Sequence, residues 1–151
     1  MRMDDLTKII LTSSLTVIGG VFVYVVGQLL GKFIIEPVQA LKALLGEIQY
    51  SLVFHAQPIL TPVGDRERED EAQKTLRKLS CDLRSKVGAI PFYGVWSAIS
   101  FGFLPPRENV YKASIQLMGL SNSVHKSDRS ERNGDRMSSI EKLLNYEPFE
   151  H

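Results

Sequence analysis

The residues best suited to chemistry in this chain are an acidic cluster, three histidines and one cysteine. The acidic cluster comprises Glu67, Glu69, Asp70 and Glu71, and carboxylate oxygens are common ligands of divalent cations. On a helix, however, this spacing scatters the carboxylates around the axis. Acidic residues in a first helical turn also compensate the helix dipole. The cluster therefore predicts a solvated helix start and no metal site.

The histidines and the cysteine do not form a recognisable catalytic or metal-binding pattern. His55, His125 and His151 are widely separated along the chain. The single Cys81 allows neither an internal disulfide nor a cysteine zinc site within one chain. We expect His55 to be packed and His125 to be solvated. Because H-E-x-x-H, G-x-S-x-G and glycine-rich phosphate loops are also absent, we expect no enzyme activity, no catalytic residue, no metal and no cofactor.

The charge balance argues against a nucleic-acid partner. The 151 residues include 18 Lys and Arg and 17 Asp and Glu, for a formal net charge of +1. Neutralising many backbone phosphates requires a clear excess of Lys and Arg. We expect no nucleic acid among the partners, and no small-molecule substrate is evident.

An uncharged segment near the N-terminus has the length of a membrane span. Residues 9–31 read IILTSSLTVIGGVFVYVVGQLLG. As a helix they would extend roughly 34 Å, against about 30 Å for the hydrocarbon core of a bilayer. A signal peptide would have a shorter apolar stretch and a small-x-small cleavage site. We predict an N-terminal tail over 1–8 and a transmembrane anchor over 9–35; the alternative is a buried helix of a soluble protein.

Three glycines mark one face of this predicted span. Gly27 and Gly31 form a G-x-x-x-G pair, and Gly20 lies one heptad earlier on the same face. Such a face lets a second helix approach closely, although glycine is also simply frequent in membrane helices. The pattern predicts helix pairing, either with a second copy in a homo-oligomer or with another membrane protein.

The flanking charges do not set the orientation of the span. Arg2 and Lys8 precede it, and Lys32 and Lys42 follow it, so the positive-inside rule gives a tie. The rest of the chain has an unpaired Cys81 and no N-x-S/T site, which suits a reducing compartment. We therefore expect a cytosolic C-terminal part and a span in a bacterial inner membrane.

Heptad-like apolar spacing predicts two helices after the span. The first covers about 37–56 and the second about 66–87, with the turn-forming sequence QPILTPVG between them. Asp65 is a candidate N-cap of the second helix and Gly88 a candidate C-cap. We expect the two helices to form an antiparallel hairpin.

Aromatic residues are concentrated in residues 88–106, which are uncharged. Three interpretations stay open: a second membrane span, a buried part of the helical domain, or an element in the lipid headgroup region. The candidate membrane-interface residues are Phe92, Tyr93, Trp96, Phe101 and Phe103.

The C-terminal part begins with a predicted helix over 107–121. The polar residues 121–137 are typical of a flexible linker. Ser138 and Glu141 have the spacing of a capping box, which predicts a short helix over 138–147.

Together these patterns predict an all-α protein with one N-terminal transmembrane helix followed by a small helical hairpin or bundle domain over 36–120. The function that this organisation favours is a non-catalytic, membrane-anchored interaction or assembly protein. The alternative is a small membrane effector, of the toxin or anti-phage defence type. It would act on the lipid bilayer through its span and its aromatic segment.

Overall fold

The computed structural model describes residues 3–62, 64–100 and 103–145, and every regular element in these ranges is helical. The all-α class predicted from the sequence is therefore confirmed. The chain divides into two compact units, Met1–Glu36 and Pro37–His151.

The first unit consists of one long helix. Helix α1 covers Met3–Leu30 and is followed directly by a π-helical turn, Gly31–Ile35. In this turn the Glu36 backbone N–H donates to the Gly31 carbonyl, five residues earlier. Pro37 gives the physical reason, because it has no N–H and its ring clashes with the carbonyl four residues before it in a regular α-helix. A wider π turn accommodates the proline while the chain stays helical.

The second unit is a bundle built from six α-helices and one 3₁₀ turn, counted over the described residues. In chain order these are α2 (Glu36–Phe54), α3 (Ala56–Leu60), α4 (Arg66–Ala89), α5 (Tyr93–Ile99), α6 (Arg107–Ser121), the 3₁₀ turn Ser127–Arg129 and α7 (Ser130–Leu143). Apolar side chains at helical spacing form one continuous core. Its fully buried members include Leu41, Ile48, Leu52, Leu76, Leu79, Leu83, Leu117, Leu120 and Ile140.

The closest helix pair in the bundle is α4 with α6, and α6 in turn packs on α7. Ser80 of α4 and Ser114 of α6 are both buried, and the Ser80 hydroxyl donates to the Ser114 carbonyl at 2.7 Å. Small side chains at this contact let the two backbones come close together. The hairpin of α2 with α4 that the sequence predicts is therefore not the closest pairing in the bundle.

The helix ends match the sequence predictions in part. The Asp65 side chain accepts from the Arg68 backbone N–H at 3.4 Å, so the predicted N-cap of α4 is confirmed. Gly88 is not the C-cap, because α4 continues to Ala89 and its C-cap is Ile90 in an extended conformation. The predicted loop after α2 contains the short helix α3.

The structure differs most from the sequence predictions after α6. Residues 121–137 were predicted as a flexible linker, yet α7 begins at Ser130, inside that range. Ser138 lies within the helix and does not cap it, and α7 ends at Leu143.

A buried polar network explains why this polar sequence is ordered. The Asn133 side chain is fully buried and donates to the Ile59 carbonyl of α3 at 2.9 Å. It also accepts from the buried Ser123 hydroxyl at 2.6 Å. Buried polar groups are tolerated when they are hydrogen-bonded in this way. The contacts join α7 to the bundle.

Candidate functional site: helix α1 and the α5 surface

Helix α1 presents apolar side chains on all sides. Leu15 and Phe22 are 70% and 68% exposed, and the other large apolar side chains of the helix are similar. Over residues 6–54 the chain is helical for 49 residues, and its most apolar 18-residue window has a mean hydropathy of 2.2 with no part buried. Within the described ranges, one helix is therefore long and apolar enough to cross a membrane.

The hydroxyl groups of α1 are satisfied inside the helix. The Thr12 side chain donates to the Lys8 carbonyl at 2.8 Å, and the Thr16 side chain donates to the Thr12 carbonyl at 2.9 Å. Threonines bonded in this way need no water, which suits an apolar environment.

The three glycines predicted to pair helices leave open space around the helix. A Cβ atom at Gly20, Gly27 or Gly31 would meet no side chain and no backbone of another segment within 4 Å. Gly20 and Gly27 lie in α1, and Gly31 is the first residue of the π-helical turn. Their role in pairing stays a prediction.

Helix α5 is too short to be a second span. It covers only Tyr93–Ile99, whereas a transmembrane helix needs about 20 apolar residues. Tyr93 is 1% exposed, and its hydroxyl donates to the Pro105 carbonyl at 2.7 Å. Burial raises the pKa of Tyr93 to about 12. The structure thus places Tyr93, a candidate membrane-interface residue, in the core of the bundle.

Other aromatic residues of the segment are outside the core. Phe92 and Phe103 are 82% and 72% exposed, and Val95 and Ile99 of α5 are also exposed. We call these four residues the α5 surface. Trp96 packs partly against the core, and its indole N–H is buried with no hydrogen-bond partner in the described chain.

The turn after α5 is fixed by serine hydroxyls. The Ser97 side chain is 3.3 Å from the carbonyls of Leu104 and Pro105, and the Leu104 N–H donates to the Ser100 hydroxyl at 3.2 Å. The Lys42 ammonium of α2 lies 4.7 Å from the centroid of the Phe103 ring, a cation–π contact. These contacts hold Phe103 in place. Phe101, also predicted as a membrane-interface residue, lies outside the described residues.

An exposed apolar face on α2 was missed in the sequence. Tyr50, Val53 and Phe54 are exposed at the end of this helix, and the rings of Tyr50 and Phe54 stack with centroids 5.6 Å apart. The signal was present, because these residues form a second stripe at helical spacing opposite the core stripe.

His125 is exposed, as expected, and it also contacts the acidic cluster. Its Nδ1 is 3.0 Å from a Glu69 oxygen and its Nε2 is 3.3 Å from an Asp70 oxygen. The Glu69 carboxylate is buried and also accepts from the Gly64 N–H at 3.1 Å. Two of the four acidic residues therefore connect the start of α4 to the segment after α6. Among the described residues no group of three His, Cys, Asp or Glu side chains is arranged to hold a metal ion.

The remaining candidates for chemistry are one packed and one exposed side chain. His55 is buried and packs edge-on against Phe54, as predicted. Its burial lowers the pKa of His55, and the nearby Glu71 carboxylate opposes this by raising it. Cys81 is exposed on α4.

Comparison of the chain with protein families, with curated proteins and with solved structures finds no match. The fold alone therefore defines the class of the protein. Over the residues that the structure describes, the chain is helical and combines one helix long and apolar enough to cross a membrane with a helical bundle.

Proposed function

We propose that this chain is a non-catalytic, membrane-anchored interaction protein, with α1 as the anchor and the bundle as a cytosolic domain that binds a partner. In this proposal the membrane is a bacterial inner membrane. The face with Gly20, Gly27 and Gly31 pairs α1 with a second copy or with another membrane protein.

The observation that carries the proposal is the exposure of α1. The apolar side chains of its central 18-residue window are unburied, which is the opposite of the core helix of a soluble protein. Burying one large apolar side chain stabilises by about 1.5–3 kcal/mol, so a helix with this many exposed apolar side chains strongly favours an apolar surrounding. A lipid bilayer supplies it, and the internally bonded threonines are compatible with it.

Membrane fractionation tests the anchor. Full-length protein is expected to sediment with membranes and to resist alkaline carbonate extraction. A variant lacking residues 9–31 is expected to appear in the soluble fraction with its bundle folded. Full-length protein that stays in solution without detergent would contradict the proposal.

The glycine face is tested by bulky substitutions in a membrane two-hybrid assay. Gly27→Ile and Gly31→Ile are expected to weaken self-association, because each adds bulk where two backbones should meet. Gly19→Ile is the matched control, since Gly19 is one position from Gly20 and points about 100° away around the helix. Equal association in all three variants would remove the pairing role.

The cytosolic orientation is tested with the exposed Cys81, which is the only cysteine in the chain. In intact spheroplasts a membrane-impermeant maleimide is expected to leave it unmodified, and permeabilised cells are expected to show labelling. Labelling in intact spheroplasts would reverse the orientation.

The α5 surface favours a second candidate function, a small effector that disturbs the bilayer. Phe92 and Phe103 are large exposed aromatic side chains of the kind that insert at a membrane surface. Overexpression would then dissipate the membrane potential, and Phe92→Ser with Phe103→Ser would abolish that effect. Val53→Ser is the control, because Val53 is an exposed apolar residue of α2 outside the α5 surface. An unchanged membrane potential on overexpression of the wild type leaves the interaction protein as the better proposal.

A further inference from the structure

The bundle has a cleft that shares no residue with the α5 surface. It is lined by residues of α4, α6 and α7 and has a volume of about 500 Å³. That size is within the range of small-molecule sites. Its lining combines arginines and amides with apolar side chains, among them Arg84, Ile115, Gln116, Met118, Asn122 and Arg136.

Arg84 is oriented by neutral groups of α6. Its Nε donates to the Ser114 hydroxyl at 2.8 Å, and that hydroxyl donates in turn to the Tyr111 carbonyl at 2.8 Å. The Nη donors of Arg84 have no partner among the described residues. They are available to a ligand in the cleft.

Arg136 is fixed from behind by the backbone of α6. Its Nη1 donates to the Gly119 carbonyl at 2.8 Å and is 3.4 Å from the Ser123 hydroxyl. The guanidinium lies directly on Gly119, because a Cβ atom there would be 2.9 Å from the Arg136 Cζ. Ser123 also bonds the buried Asn133, so the group behind Arg136 is part of the ordered interior. These contacts fix the position of the Arg136 guanidinium.

The arginines of this cleft have no carboxylate partner in the described chain. Arg84 and Arg136 form no ion pair there, and Asn122, which lines the cleft, accepts from the Arg77 guanidinium at 2.9 Å. The residues that line the cleft thus include two arginines and no carboxylate, in a chain whose formal net charge is only +1. Guanidinium groups match the geometry of phosphate oxygens and bind them through paired hydrogen bonds.

We infer that this cleft binds a phosphorylated ligand, with Arg84 and Arg136 contacting the phosphate oxygens from opposite helices. Ile115 and Met118 provide an apolar surface for the rest of the ligand. The phosphate group belongs either to a soluble phosphate ester or to a lipid headgroup. This site is independent of the proposed pairing of α1.

The exposed Cys81 gives a direct test, because it lines the cleft and is the only cysteine in the chain. Full-length protein in an uncharged detergent is treated with N-ethylmaleimide, which is neutral, while inorganic pyrophosphate is titrated at constant ionic strength. Bound pyrophosphate is expected to slow alkylation of Cys81 in the wild type.

Two substitutions and one control assign the effect to the cleft. Arg84→Gln and Arg136→Gln are each expected to weaken the protection about tenfold or more, since each removes charged hydrogen bonds to the anion. Arg132→Gln is the matched control on α7, because Arg132 is exposed and does not line the cleft. A urea unfolding curve of each variant shows that its bundle is intact, and Arg84, whose side chain is at the surface, keeps the test valid if Arg136→Gln does not fold.

A second arm separates the two sources of phosphate. Full-length protein is placed in nanodiscs of phosphatidylcholine with or without phosphatidic acid, and alkylation of Cys81 is measured without soluble anion. Protection by phosphatidic acid that Arg84→Gln abolishes identifies a lipid headgroup, whereas protection by pyrophosphate alone identifies a soluble ligand. The inference is overturned if neither protects Cys81, or if protection persists in both arginine variants.

Discussion

Helix α1 and the bundle use the same aliphatic residue types in opposite ways. Leu15 of α1 is 70% exposed, whereas Leu117 of α6 is fully buried. The difference lies in the pattern, because α1 is apolar on all sides, whereas the bundle helices carry an apolar stripe and a polar face. The bundle helices can therefore bury their apolar stripes against one another, whereas the apolar side chains of α1 are exposed.

The largest expected effect comes from substituting one leucine in each unit and comparing the loss of stability. Leu117→Ala is expected to lower the free energy of unfolding of the bundle by about 2–5 kcal/mol, because it removes buried methyl groups and leaves a cavity. Leu15→Ala is expected to leave that free energy unchanged. Urea unfolding in detergent, followed by the fluorescence of Trp96, measures both. An equal loss in the two variants would mean that α1 is packed into the folded bundle.

The next effect concerns the polar network that orders α7. Asn133→Ala removes the donor to the Ile59 carbonyl and is expected to cost about 1–3 kcal/mol of unfolding free energy. Arg132→Ala, an exposed change on the same helix, serves as the control. An unchanged unfolding free energy in Asn133→Ala would favour the prediction that residues 121–137 are a flexible linker.

A smaller effect separates two adjacent aromatic residues. Tyr93→Phe is expected to cost about 0.5–1.5 kcal/mol, because the Pro105 carbonyl loses its donor. Phe92→Gly is expected to leave stability unchanged or slightly higher, since Phe92 has a φ of 53° and an exposed side chain. Glycine relieves that left-handed strain, although it also gains entropy in the unfolded chain. If Phe92→Gly destabilises the bundle more than Tyr93→Phe does, the assignment of Tyr93 to the core and of Phe92 to the surface is contradicted.

The smallest expected effect is a dependence on pH through His55. Its pKa in the folded bundle is lowered by burial, so the unfolded chain binds the proton more readily. The contribution of His55 to stability is therefore complete above a pH of about 6.5 and is lost as the pH falls toward the lowered folded pKa. The Glu71 carboxylate raises the pKa of His55 and so opposes the effect of burial. Arg68 lines the same small cleft as His55 and Glu71. His55→Gln is expected to flatten the pH dependence of the unfolding free energy between pH 7 and acidic pH; the same slope in both proteins would exclude His55 as its source.

The sequence by itself determined the features that depend on local pattern. The uncharged run of residues 9–31 predicted the long apolar helix, and regular leucine spacing predicted α2, α4 and α6. Asp65 was identifiable as an N-cap because its side-chain oxygen accepts from a backbone N–H only three residues later, that of Arg68. Periodicity and capping act within a few turns of one helix, so they can be read from a single segment.

Only the tertiary structure decided the features that depend on distant residues. Asn133 bonds Ile59 across 74 positions, and His125 contacts Glu69 across 56, so neither the order of α7 nor the position of His125 was visible locally. The same reason applies to Ser80, whose contact with α6 sets the closest helix pair. These groups are polar, and a polar side chain is buried only where the fold supplies its hydrogen-bond partner.

The arginine cleft also depends on tertiary structure. The helices α5 and α6 lie between Arg84 and Arg136 in the sequence, and each arginine is oriented by a neutral group of α6. The even balance of charge over the chain gave no sign that two arginines would line one cleft without a carboxylate. Charge at a site depends on which side chains the fold brings together, because electrostatic interactions are screened within about 10 Å at ordinary ionic strength.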